Sequence, residues 1–242
     1  MSVNCPPDAA RTALQWQTLH HTLLRLGAWV EYIEPQRGLP DLVYTANAGL
    51  TKGKKVVLSR FRHKERQGEQ PHFAKWFTEA GYEVLEVSSG DFEGEGDALF
   101  AGDILFGGHG FRSDKAAFEE VRQLLGVKKV VLCDLTDPRF YHLDTCFCPI
   151  SPEKAIYFPS AFTDASISEM KKNIELIPIP AEDAAMFACN SVVLQKAIIM
   201  PSGCDQTRKI LEAQKFEVYP VALDEFLKGG GSAKCLSNRL DN

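Results

Sequence analysis

Apolar residues along this chain follow two alternating rhythms. Leu14, Leu19, Leu23, Leu24 and Leu26 keep an approximate helical period, as do Phe73, Trp76 and Phe77, and Phe118, Val121, Leu124 and Leu125, so each stretch predicts an amphipathic helix. Each runs into a glycine (Gly27, Gly81, Gly126) and then into a short β-prone run such as Val84–Val87 or Val130–Leu132. A glycine there suits the left-handed residue that ends many helices. The helix-then-strand pattern recurs five times, in LHHTLLRLGAWVEYIEP, FAKWFTEAGYEVLEVSS, FEEVRQLLGVKKVVLCDL, ISEMKKNIELIPIP and TRKILEAQKFEVYPVA. A spacing of roughly 45 to 50 residues is the mark of a repeat architecture.

Two further strands precede the helix in a typical unit. LVYTANAGLTKGKKVVLSR and DALFAGDILFGGHG read as hairpins turning at Lys52-Gly53 and Gly102-Asp103, and AIYFPSAF and AIIMPSG repeat the second hairpin strand. The unit is therefore strand, strand, helix, strand. Only SAKCLSNRLDN follows Gly229–Gly231, so the last unit lacks its helix and strand, which are read instead at residues 9–35. That arrangement joins the two chain ends and closes a ring without open sheet edges. The expected fold is α/β, a five-fold pseudosymmetric propeller. A single domain over residues 1–242 is expected, because the triglycine is too short to be a linker.

The hairpin starts carry the polar residues: Asp41 and Asn47, Glu93 and Asp97, His142 and Asp144, Asn190, and Cys235. A ring would bring them around one central hole. Strand alternation would point His142 and Asp144 to one face, and likewise Glu93, Glu95 and Asp97. A His and a carboxylate aimed together form a general acid–base pattern. A lone strand histidine is more often a satisfied core residue, and a cysteine after glycines is more often packing. The joint placement is what raises both.

Composition narrows the classes. With 45% apolar and 24% charged residues in 242, net charge −5 and a pI near 5.7, no nucleic-acid footprint is expected. Neither a signal peptide nor a membrane-spanning apolar run is read, so a cytoplasmic location is expected. The seven cysteines are odd in number and follow no secreted spacing. Cys133, Cys189 and Cys204 read as packing in or beside apolar strands. Cys146 and Cys148 sit near His142, but no second ligand pair accompanies them, and no metal is expected.

Four motifs in order, Asp41-Leu42-Val43-Tyr44, the E-G-E-G-D run from Glu93 to Asp97, His142-Leu143-Asp144 and the glycine-rich run to Cys235, resemble the pentein, or amidinotransferase-like, superfamily. That group includes arginine deiminases, dimethylargininases, succinylarginine dihydrolases and glycine amidinotransferases. The resemblance covers nearly the whole chain. It implies a cofactor-free, cysteine-dependent hydrolase of arginine or a close derivative, with Cys235 as nucleophile, His142 as acid and then base, and Glu93 as the partner of positive charge. It also implies Asp41, Asp97 and Asp144 as cation anchors and Arg112 as the carboxylate anchor, with Arg60, or Arg62 in its place, as a second. Which glutamate pairs with His142, Glu93 or Glu95, is left open.

One position departs from the commoner deiminases. Thr45-Ala46-Asn47-Ala48 carries Asn47 where they have an acid, and so resembles the dihydrolases, which cleave the guanidino carbon twice. Asn4 resembles a substrate-contacting Asn of those enzymes. The expected partner is a small guanidino compound, with neither nucleic acid nor membrane, and a homo-oligomer is open. The alternatives are an amidinotransferase and a non-catalytic binding module of the same fold.

Overall fold

A computed structural model describes residues 6–240, so Asn4 and Cys5 lie outside the described residues. Four units repeat one topology. The first holds β1 (Gly49–Lys52), β2 (Lys55–Leu58), helices α2 (Lys64–Gln67) and α3 (Gln70–Glu79), and β3 (Glu83–Leu85). The second holds β4 (Ala98–Ala101), β5 (Ile104–His109), α4 (Ala117–Leu124) and β6 (Lys129–Asp134). The third holds β7 (Phe147–Pro149), β8 (Lys154–Tyr157), α5 (Asp164–Lys171) and β9 (Glu175–Pro178). A short α6 (Ala181–Ala185) leads into the fourth: β10 (Val192–Leu194), β11 (Ala197–Pro201), α7 (Asp205–Ala213) and β12 (Glu217–Val221). Each unit is a three-stranded sheet whose first pair is antiparallel and whose second is parallel, the helix crossing between them. The strand, strand, helix, strand reading therefore holds.

Local chemistry sets the joints. Gly27, Gly81 and Gly126 do take left-handed angles (φ +86°, +80° and +59°) after their helices. The β1–β2 pairing of Lys52 with Lys55 places the hairpin turn at Gly53-Lys54, one residue later than expected. The β4–β5 turn falls at Gly102-Asp103, as read.

The fifth unit is different. Its helix, α1 (Ala9–Arg25), packs Trp16, Leu19, Leu23 and Leu26 with Val221, Leu223 and Phe226. Leu14 and Leu24, read as part of the apolar face, stand outside at 63% and 46% exposure. The expected strand after α1 does not form: residues 28–36 carry no strand, and Trp29 is 85% exposed. A strand needs a neighbour, and this unit has no hairpin to offer one, only a turn at Ala233–Leu236. Ring closure falls instead to side chains. Gln15 Nε2 donates to Asp224 Oδ1 at 2.6 Å, Arg11 pairs with Glu225 at 3.0 Å, and helix α8 (Asp224–Leu227) thereby meets α1. On the other side, Thr51 Oγ1 donates to the Arg239 carbonyl at 2.7 Å and Asn238 Nδ2 to that of Gly49 at 2.9 Å.

Candidate active site

The units open with tight turns rather than strands. Thr45–Ala48, Gly94–Gly96 and Leu143–Thr145 are single 3₁₀ turns. The strand-alternation readings of His142 with Asp144, and of Glu93, Glu95 and Asp97, are thus corrected. Gly94 at φ +55° bends the chain, and a Cβ there would come within 2.9 Å of the Ala46 carbonyl and the Gly49 backbone. The bend sends Glu93 and Asp97 inward, both fully buried, while Glu95 turns away to Lys234 Nζ at 2.5 Å.

Glu93 is the hub of one side. Its Oε2 lies 2.7 Å from His142 Nε2 and 3.2 Å from an Arg112 nitrogen, and its Oε1 accepts from the Arg62 amide at 3.3 Å. The partner of His142 is therefore Glu93. Asp97 accepts from Ser113 N and Oγ at 3.1 and 2.7 Å and from the Leu143 amide at 3.1 Å. These bonds stitch the second unit to the His142 turn and leave Asp97 as a brace. Arg112 also lies over the Tyr141 ring at 4.5 Å.

Cys235 anchors the other side. Its thiol donates to Asp144 Oδ2 at 3.3 Å and receives Asn190 Nδ2 at 3.0 Å. Asn190 holds the whole turn: its Oδ1 accepts from the Ser232 and Cys235 amides at 3.1 and 3.0 Å. Asp144 is 1% exposed, and its Oδ1 has no hydrogen-bond partner among the described residues. The triglycine lies under two tyrosines, with Tyr44 donating to the Phe226 carbonyl at 3.1 Å and Tyr141 to that of Gly230 at 2.6 Å. A Cβ on Gly231 would overlap the Tyr44 ring, and Gly230 is left-handed at φ +89°.

Asn47 is held at both ends. Arg66 donates to its Oδ1 at 2.7 Å, and its Nδ2 donates to the Glu93 carbonyl at 3.0 Å. An arginine can only donate and a carbonyl can only accept, so the amide orientation is fixed. Arg66, buried and forked onto Glu69 at 2.9 and 2.7 Å, is a residue sequence reading missed within a charged run. The i, i+3 spacing of Arg66 and Glu69 between Phe61 and Phe73 was the available signal. Asp41 is half-buried and offers its carbonyl to Arg66 at 3.1 Å. Arg60 stays apart: it is exposed and donates to the Ser88 carbonyl at 3.2 Å. Arg62 is taken by Asp114 at 2.5 Å and Asp91 at 3.2 Å. Among the described residues no group of three or more His, Cys, Asp or Glu is placed to hold a metal.

Burial alone would raise the Glu93 carboxyl, but the bond and charge of His142, with Arg112 and Arg66 beyond, hold it at about 2. Burial alone would lower His142, yet Asp97, Glu93 and Asp144 outweigh it and raise its pKa. Burial pushes Asp97 up to about 6 against the pull of His142 and Ser113. Burial, and then the Asp144 charge, push the Cys235 thiol well above the usual thiol range. A cation arriving beside Asp144 would reverse that last effect.

Over residues 9–240 the chain matches the family described as N,N dimethylarginine dimethylhydrolase, eukaryotic. It is 45% identical over 236 residues to the bifunctional arginine dihydrolase/ornithine cyclodeaminase AgrE of Nostoc, a match covering 95% of this chain and 33% of AgrE. It therefore spans about a third of that protein's length. It is 39% identical to the N(G),N(G)-dimethylarginine dimethylaminohydrolase of Mycobacterium tuberculosis, over 97% of this chain and 78% of that one. The N-terminal domain of ArgZ, solved with a covalently bound reaction intermediate, superposes with TM-score 0.93 at 44% identity, covering 96% of this chain and 87% of that one. No described helix is long and apolar enough to cross a membrane.

Proposed function

The chain belongs to the N,N dimethylarginine dimethylhydrolase family, and from that premise we propose that it hydrolyses the guanidino group of free arginine through a covalent amidino-cysteine intermediate. The observation that carries the reading is Asp144 Oδ1, without a partner among the described residues and buried beside the Cys235 thiol. A planar guanidinium offers N–H donors to such an oxygen and neutralises the charge that, after burial, holds the thiol protonated. The Cys235 thiolate then attacks the guanidino carbon. His142, raised and so charged, gives its proton to the departing nitrogen, and ammonia leaves. Neutral His142 takes a proton from water as it attacks the amidino carbon. Collapse of that adduct expels the thiolate and leaves a ureido product.

Asn47 carries the finer proposal of a second round. An aspartate there would face the Glu93 carbonyl with an acceptor, whereas the amide donates to it and keeps one N–H for a neutral ureido oxygen. Attack on the ureido carbon would release a second ammonia, with carbon dioxide and ornithine as the remaining products. Asp41 and Arg112, both bordering this space, are proposed to hold the amino and carboxylate ends of the substrate. The one-domain arrangement and a reducing, cytoplasmic setting belong to the same proposal, since the six described cysteines are all free thiols.

The test is incubation with arginine, methylarginines, agmatine and succinylarginine, scoring ammonia, methylamines, citrulline and ornithine separately. Two ammonia and one ornithine per arginine are expected. One methylamine per methylarginine with arginine untouched would shift the substrate to methylated arginine, and no turnover of any of them would overturn the reading.

A further inference from the structure

Glu95 takes no part in the chemistry above, yet it is 6% exposed and paired with Lys234. Its Oε2 accepts from Lys234 Nζ at 2.5 Å and from the Arg239 amide at 2.8 Å. Lys234 precedes the nucleophile, and its Nζ also donates to the Ser237 carbonyl at 3.1 Å. Residues 234–239 lie in no helix or strand, so no ladder fixes them. What fixes them is a set of contacts to other units: the Lys234 amide on the Asn190 carbonyl at 3.2 Å, the Cys235 amide on Asn190 Oδ1 at 3.0 Å, the Cys235 thiol on Asp144 at 3.3 Å, the Ala46 amide on the Cys235 carbonyl at 3.1 Å, Asn238 and Arg239 on the first unit, and Glu95. Among these contacts Glu95 makes the ion pair, with Lys234.

We propose that Glu95 is a positioning residue for the nucleophile, holding the segment from Lys234 to Arg239, and through it the Cys235 thiol, at the distance the ring requires. Stability by itself does not call for an ion pair here, because a well-packed apolar pair often replaces a buried one without loss. An ion pair with two donors on one oxygen fixes direction as well as contact. The turn at Gly94–Gly96 thus serves two ends: Glu93 faces the histidine and Glu95 steadies the cysteine from behind.

The kinetic arm of the test rests on the hydrolase reading, while the labelling arm does not. Glu95→Ala, Glu95→Gln and Lys234→Met are compared in the full chain. The readouts are the rate of Cys235 alkylation by 2-chloroacetamidine, kcat and KM for arginine, and the melting temperature. Glu95→Ala is expected to slow labelling and kcat about 100-fold with KM within about threefold, as for a nucleophile displaced by about an ångström. Glu95→Gln keeps an oxygen acceptor and should recover to within about tenfold of the native rates. Native labelling in Glu95→Ala with only a lowered melting temperature would overturn the proposal. If that variant does not fold, native labelling in both Glu95→Gln and Lys234→Met would do the same. A native protein that labels but turns over no guanidino compound counts against the hydrolase reading, and the labelling comparison then decides the role of Glu95.

Discussion

The two sides of the candidate site are built on opposite terms. On the side of His142, every charge has its partner: Glu93 accepts from the histidine, from Arg112 and from the Arg62 amide, and Asp97 accepts from three donors. On the side of Cys235, Asp144 Oδ1 and Ser232 Oγ are buried without partners among the described residues, and burial, then the carboxylate it touches, hold the thiol protonated. An unsatisfied buried oxygen costs about 1–3 kcal/mol. The difference teaches that the His142 side is finished by folding, whereas the Cys235 side, in the function proposed above, is left for the substrate to complete.

The largest way to break that comparison is to remove the nucleophile. Cys235→Ala should lower kcat at least about 10⁴-fold, and intact-mass measurement during turnover should show no covalent adduct. An adduct elsewhere would displace Cys235 from its role. Next comes the finished half. Glu93→Gln removes a charge that raises His142, so the imidazole pKa falls and less imidazolium remains at neutral pH. A loss of about 10²–10³ in kcat is expected, with the pH–rate profile moved to lower pH. An unmoved profile would deny the pairing its electrostatic role.

Asp144→Asn sharpens the unfinished half, because two readouts should move in opposite directions. Turnover should fall about 100-fold in kcat/KM as the guanidinium loses its partner. Labelling of the free enzyme by iodoacetamide should extend to lower pH, since the negative charge that opposes thiolate formation is gone. A labelling curve unchanged in pH would mean that burial alone sets the thiol. The smallest effect belongs to Asn190→Ala, which leaves the Ser232 and Cys235 amides without their acceptor. A stability loss of about 1–3 kcal/mol is expected in denaturant melts, together with a roughly tenfold fall in kcat.

How much of this was legible in the sequence depended on the range of the interaction. Helical period, glycine stops and β-prone runs are local, and they announced the four sheets and the repeat. Cys235, His142 and Glu93 could be expected around one site because the repeat itself did the long-range work. What local pattern concealed was the shape of the hairpin starts. A strand and a 3₁₀ turn share a small polar sequence such as E-G-E-G-D, and only the close approach of Ala46, Gly49 and Asn47 to its glycines selects the turn. Arg66 was concealed for a related reason: a charged run reads as solvated until the Asn47 and Glu69 that bury it are known. The strand expected after α1 failed because pairing partners, which no single segment encodes, were missing.

The closure of the ring by side chains has a consequence for how the protein reaches its working form. Arg11 and Asp224 meet across 213 residues, and Thr51 and Arg239 across 188, so these contacts come after the local sheets on any route that settles short loops first. The Cys235 thiol, the proposed nucleophile, lies on the segment that makes that final contact. A folding intermediate with all four sheets in place would have His142 and Glu93 paired and Cys235 unplaced, and on the proposed function would stay silent towards substrate until the last seam is joined.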